Sequence, residues 1–167
     1  MRISPKTTLP QRRTLLMSAC ALGLSVLGLP SQAQTTRPLM MVWKTPTCGC
    51  CKLWVEHLEK EGFSVKAHDV AQTAPVRTRL GIPDDMGSCH TGLMAGFAIE
   101  GHVPAREIKR LLAEPESLRQ QVIGLSVPGM PIGSPGMEMG TKRDKFDVML
   151  VLKGGKSRVY QSYPSQA

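Results

Sequence analysis

The chain has 167 residues, 41% of them hydrophobic and 20% charged. That length holds one compact domain with appendages rather than two domains with separate cores, and the composition fits neither a disordered polymer nor a polytopic membrane protein. The formal charge of +8 suggests a nucleic-acid partner, but four of the bases, Arg2, Lys6, Arg12 and Arg13, crowd the N-terminus without a single acid among them.

Those bases precede an apolar stretch from Leu15 to Leu29 that ends in Pro30-Ser31-Gln32-Ala33. A basic n-region, an apolar h-region and a small-residue boundary predict an export signal peptide over residues 1–33, cleaved after Ala33. A membrane span needs roughly 20 predominantly apolar residues, whereas this stretch is shorter and contains Gly23, Ser25 and Gly28. Arg12-Arg13-Thr14-Leu15-Leu16 resembles the twin-arginine export signal. Adjacent arginines also occur in general secretory signals, so both routes stand. Cleavage leaves residues 34–167 with a net charge of +4, an ordinary surface. There is no block of like charge, and the few aromatics are not interleaved with Lys or Arg, so no nucleic-acid partner is expected. No stable membrane span is expected after cleavage.

Along that remainder, Leu39-Met40-Met41-Val42-Trp43 is a continuous apolar run that predicts a buried strand. It stops at Thr45-Pro46-Thr47. Cys51, Trp54, Val55 and Leu58 then fall at i, i+3, i+4 and i+7, which predicts an amphipathic helix from Cys50 to Glu61, closed by Gly62. Ser64 to Val70 reads as a strand, Thr73 to Leu80 as a short helix, and Gly81 to Asp85 as a turn. Strand, helix and strand in so short a span predict a parallel crossover. Leu93 to Ile99 reads as one further strand, followed by a helix opened by Pro104 that buries Ile108, Leu111 and Leu112. A second helical piece is expected with Leu118 and Val122 on one face, ending before Gly124. Val127 to Gly140 is too rich in Pro and Gly for helix or central strand and reads as a long ordered or functional loop. Phe146 to Leu152 and Ser157 to Tyr163, flanking Lys153-Gly154-Gly155-Lys156, predict a terminal β-hairpin.

Cys20 leaves with the signal, so the exported chain has Cys48, Cys50, Cys51 and Cys89. Two structural disulfides would be the usual reading for an exported protein. Three of these thiols lie within four positions, however. A bond between adjacent Cys50 and Cys51 would strain the backbone, and a bond from Cys48 into the cluster closes almost no loop. Chemistry at the sulfurs accounts for the crowding better than stapling does. The cluster sits where a strand hands over to a helix, with Lys44 and Lys52 close in sequence. Unpaired backbone N–H groups and the positive helix end there favour thiolates, so low thiol pKa values are expected.

Trp43-Lys44-Thr45-Pro46-Thr47-Cys48-Gly49-Cys50-Cys51-Lys52 resembles the strand–CxxC–helix element of thioredoxin, with Cys50 in place of the usual proline. The terminal hairpin, entered from a Pro-rich loop, is similar to that fold as well. More specifically, the CxCC, Gly87-Ser88-Cys89-His90-Thr91, Ile99-Glu100-Gly101-His102-Val103-Pro104, and Val127-Pro128-Gly129-Met130-Pro131 through Gly136-Met137-Glu138 resemble the exported CopG family of copper-resistance operons. The resemblance implies a thioredoxin-like α/β domain over residues 34–167, with a central mixed sheet, flanking helices and a C-terminal β-hairpin. It also implies a periplasmic location and a role in copper tolerance, with cysteines that bind copper as several Cu(I) ions bridged by thiolates.

The residues permit that chemistry on their own, since thiolates and thioethers are soft ligands that select Cu(I). Zinc is the alternative ion, although its structural sites usually draw on two separated CxxC halves and Cys89 supplies a single ligand where the second half would be. His90 is a candidate ligand or proton shuttle beside Cys89, and Met130, Met137 and Met139 are candidate outer ligands. His57, His68 and His102 read as surface or capping groups. Met40, Met41 and Met149 read as core. Two functional classes follow. A copper-binding module would use Cys48, Cys50, Cys51 and Cys89 as ligands and exchange metal with a periplasmic donor or acceptor protein. A thiol-disulfide or copper oxidoreductase would use Cys48 to attack and Cys51 to resolve. A pure dithiol exchanger has no use for Cys50.

Overall fold

A computed structural model describes residues 37–166. The export signal expected over residues 1–33 lies outside the described residues, as does its cleavage boundary. The described residues form a mixed α/β structure on one seven-stranded sheet. Strands are β1 (Leu39–Lys44), β2 (Ser64–Asp69), β3 (His90–Met94), β4 (Phe97–Glu100), β5 (Val122–Ser126), β6 (Phe146–Leu152) and β7 (Lys156–Tyr163). Helices are α1 (Gly49–Lys60), α2 (Ala74–Arg79), α3 (Ala105–Ala113) and the single turn α4 (Glu116–Arg119). The sheet order is β2-β1-β3-β4-β5-β6-β7, parallel at β1–β2 and β4–β5 and antiparallel elsewhere.

The parallel crossover forms as the apolar spacing requires. β1 runs between β2 and β3, with Met40 and Val42 wholly buried and Met41 and Trp43 half-buried on the opposite face. On α1, Cys51, Trp54 and Leu58 carry the buried stripe, and Gly62 at φ +92° takes the left-handed turn just beyond the helix. In α3, opened by Pro104, Ile108 and Leu111 are buried while Leu112 packs half-buried against the same core. Burying side chains of this size contributes about 1.5–3 kcal/mol each, so the α1 and α3 stripes fix both helices on the sheet.

Two expectations are corrected. Leu93 to Ile99 is not one strand: it is the tip of the β3–β4 hairpin, whose turn residues Ala95 and Gly96 both have positive φ, 49° and 85°. A continuous apolar run conceals that turn, because Ala occupies a position where Asn or Asp is the usual signal. Val122 likewise belongs to no helix. After the one turn of α4, β-branched Val122 and Ile123 open β5, which pairs parallel to β4. Gly124 is needed there, since a Cβ would collide with the backbone oxygen of Ala98.

The terminal hairpin forms as expected, with β6 and β7 turned by Gly154 and Gly155 at φ +80° and +75°. None of the helices among the described residues is long and apolar enough to cross a membrane.

Candidate metal centre

The sheet register brings the thiols together. β1 ends at Lys44, and the turn through Thr47 delivers the chain to Cys48, the N-cap of α1. Lys44 pairs with His90 across the β1–β3 ladder, so the segment entering β3 arrives at the same end of the sheet. Cys89, one residue earlier, therefore faces the CxCC turn. Its Sγ lies 3.6 Å from that of Cys51 and 4.0 Å from that of Cys50, and Cys50 Sγ lies 3.6 Å from that of Cys48. Cys48 and Cys51 form a disulfide, with Cα atoms 5.3 Å apart, and Cys50 and Cys89 are free thiols. Cys51 is fully buried; the other three are partly exposed.

The segment just past β4 contributes a residue that the sequence alone does not point to. His102, read as a surface or capping group, is completely buried, and its Nε2 lies 3.1 Å from Cys89 Sγ. The β3–β4 register explains why: Thr91 pairs with Glu100, and continuing the ladder sets Cys89 opposite His102. Reading the hairpin as a single strand hid this proximity. His102 Nδ1 lies 2.8 Å from the Pro135 carbonyl, to which it donates, so the proton resides on Nδ1 and the Nε2 lone pair faces the thiol. A histidine held in this way is oriented as a metal ligand commonly is.

His90 is also fully buried, with Nδ1 3.3 Å from Cys89 Sγ. Its ring lies 4.3 Å from Trp54, centre to centre, and Nε2 is buried with no hydrogen-bond partner. Two groups of donors thus share Cys89: one of Cys48, Cys50, Cys51 and Cys89, the other of Cys89, His90 and His102, with the ligand atoms of each within 4.8 Å of one another. Either group could hold a metal ion.

Burial dominates the electrostatics. It lowers the His90 pKa to about 3, helped by the neighbouring His102, and lowers that of His102 as well, so both imidazoles are neutral near pH 7. The Cys89 thiol is pushed up to about 12, chiefly by burial and then by Cys50. The depression expected at the helix end therefore does not extend to this fourth thiol. Lys44 provides little help, because its ammonium is engaged by Asp69 at 2.7 Å.

Buried Glu100 braces the thiol segment from behind. Its carboxylate accepts the Ser88 N–H at 2.7 Å and the Thr91 hydroxyl at 2.6 Å, on either side of Cys89-His90, with the Arg77 guanidinium 3.5 Å away.

The Pro- and Gly-rich loop packs over this centre. Gly136, at φ +82°, lies so close to α1 that an added Cβ would stand 2.7 Å from Cys50 O and Trp54 N. At the loop's start, the Ser88 hydroxyl donates to Gly129 O, and Gly129 N–H donates to Gly87 O at 3.0 Å. Met137 is half-buried beside Gly136, whereas Met130 and Met139 are 54% and 63% exposed. The remaining histidines lie elsewhere: His57 Nε2 accepts the Ala105 N–H at the start of α3, and His68 stacks on Trp43. Met40 is core, while Met41 and Met149 are half-buried strand residues.

Fold and site together define a mixed α/β protein with a cysteine–histidine centre able to hold metal. A family model described as a protein of unknown function, DUF411, matches residues 86–137, which span Cys89, His90, Glu100, His102 and Pro135 but not the CxCC. Two solved structures described as "Copper resistance protein copG- Form 2" and "Copper resistance protein copG- Form 1" are each 43% identical to the chain and cover 77% of it. The match spans 100% and 99% of those chains, with TM-scores of 0.72 and 0.71. Among curated proteins there is no significant match. The chain belongs to the CopG family of copper resistance proteins.

Proposed function

We propose that the protein is a periplasmic copper-binding protein that, in its reduced form, holds Cu(I) on Cys48, Cys50, Cys51 and Cys89 as a thiolate-bridged cluster for copper resistance. The convergence of four sulfurs from two chain segments, within 4.8 Å of one another, carries this reading. Two sulfurs on one tetrahedral metal at about 2.3 Å stand about 3.8 Å apart, and the non-bonded S···S distances of 3.6, 3.6 and 4.0 Å bracket that spacing. Four thiolates form a soft, Cu(I)-selective set. His90 and His102 extend it with neutral imidazoles, and Met137, Met130 and Met139 offer thioethers on the covering loop for exchange with a periplasmic copper donor or acceptor. The export signal in the sequence supports the location. The strand–CxxC–helix unit and its parallel crossover to β2 support a thioredoxin-like domain.

The Cys48–Cys51 disulfide favours a second reading, a thiol-disulfide or copper oxidoreductase in which partly exposed Cys48 attacks and buried Cys51 resolves. The two readings meet in one cycle. An external dithiol that closes to its own disulfide gives the two electrons and two protons that open Cys48–Cys51 and free its thiols for metal, and when Cys48 and Cys51 close again their two electrons reduce two Cu(II) to two Cu(I) and two protons are released.

Cu(I) titration of the reduced protein against a chromophoric chelator tests the assignment. Cys89→Ser should lose most of the copper. Cys50→Pro should lose part of it and retain dithiol exchange. Unchanged stoichiometry in Cys50→Pro removes Cys50 as a ligand, and unchanged stoichiometry in Cys89→Ser refutes the cluster.

A further inference from the structure

The disulfide withdraws two of the four sulfurs from metal binding, yet a donor group that does not use them, Cys89, His90 and His102, is already gathered. Cys50 and Cys89 are free thiols 4.0 Å apart. Cys89 Sγ lies 3.1 Å from His102 Nε2 and 3.3 Å from His90 Nδ1. Around a tetrahedral ion with metal–sulfur bonds of about 2.3 Å and metal–nitrogen bonds of about 2.0 Å, S···S edges are about 3.8 Å and S···N edges about 3.5 Å. The two S···N separations differ from that edge by only a few tenths of an ångström.

One feature beyond these distances shows an imidazole arranged for a ligand. The bond from His102 Nδ1 to Pro135 O fixes its tautomer with the bare nitrogen toward Cys89.

We propose that the disulfide form keeps a one-ion site of its own, in which Cys89, His90 and His102 hold a single Zn2+ ion and leave its fourth position open. Oxidation of Cys48 and Cys51 then exchanges a soft four-thiolate set for a one-sulfur, two-nitrogen set of the borderline type that zinc takes, rather than abolishing metal binding. The inference rests on the reading of Cys89 as a metal ligand and adds a second metal preference to the same centre.

The test uses the protein as purified, with the Cys48–Cys51 disulfide verified by mass spectrometry, titrated without oxygen with Co2+ as the spectroscopic stand-in for Zn2+. One Co2+ per chain is expected, with the intense visible bands of a tetrahedral ion and sulfur-to-metal charge transfer, displaced by one equivalent of Zn2+. His102→Gln and Cys89→Ser should each weaken binding by at least about tenfold and lose the tetrahedral spectrum, with unchanged far-ultraviolet circular dichroism. Absence of Co2+ binding to the oxidised protein, a weak octahedral spectrum without thiolate charge transfer, or an unaltered spectrum in His102→Gln would overturn the proposal. Cu(I) loading of the reduced protein, measured on the same samples, separates the two readings. Full Cu(I) loading with no oxidised-form Co2+ site defeats this inference alone, and the converse defeats the copper cluster alone.

Discussion

Gly136→Ala tests whether the Pro- and Gly-rich loop is clamped onto the cysteine helix. Gly136 sits at φ +82°, and an added Cβ would lie 2.7 Å from Cys50 O and from Trp54 N. The left-handed backbone costs an L-residue about 1–2 kcal/mol. Overpacking against two backbone atoms, which cannot rotate aside as a side chain does, adds about 1–3 kcal/mol. The sum, about 2–5 kcal/mol, is a large share of the ~5–15 kcal/mol that holds a domain folded. With a urea m-value of about 2 kcal/mol/M, the unfolding midpoint should fall by about 1–2.5 M. Gly129→Ala is the control. It too has positive φ, +70°, but an added Cβ there meets nothing within 4 Å, so only the backbone cost of about 1–2 kcal/mol applies. Urea unfolding followed by tryptophan fluorescence compares the two directly. If Gly136→Ala is no more destabilised than Gly129→Ala, the loop does not bear on α1 as described, and the orientation of His102 by Pro135 loses its support.

Two further outcomes follow from the hairpin and its buried acid. Ala95 holds φ 49° at the β3–β4 turn, so Ala95→Gly or Ala95→Asn should raise stability by about 0.5–1 kcal/mol, and a fall in the urea midpoint would contradict the turn assignment. Burial raises the Glu100 carboxyl above its ordinary 4.5, against the opposing pull of Thr91, Ser88 and Arg77. The folded state therefore holds this proton more tightly than the unfolded chain, and the associated stability, complete below the ordinary value, declines as pH rises toward the raised one. Glu100→Gln should flatten that decline, and an equal slope in wild type and variant would show that Glu100 is not its source.

How much of this was legible in the sequence depended on whether local pattern or register decided the question. The β1–α1–β2 unit was readable because Cys51, Trp54 and Leu58 mark one helical face and a buried strand precedes them, and the terminal hairpin because Gly154-Gly155 announces its turn. The β3–β4 hairpin was not, since Met94-Ala95-Gly96-Phe97 looks like an uninterrupted apolar run and Ala rarely takes a left-handed turn position. That omission carried into the site. Without the hairpin there is no reason to set Cys89 opposite His102, and a histidine before Val103-Pro104 looks like a loop residue. Strand β5 was missed for a related reason: Leu118 and Val122 stand four apart, yet the pairing that holds Val122 is with distant β6. The CxCC itself was plain in sequence, whereas its convergence with Cys89 is a product of the Lys44–His90 pairing.

The central claim, that four thiolates from two segments hold copper, is tested most directly by the copper-to-protein ratio of the exported protein, purified without oxygen from copper-supplemented cells, with free thiols counted on the same sample. More than one copper per chain, with four thiols recovered only after the metal is stripped, is the predicted result. A copper-free protein whose Cys48–Cys51 disulfide opens and closes reversibly, or one carrying stoichiometric zinc after reduction, would contradict it.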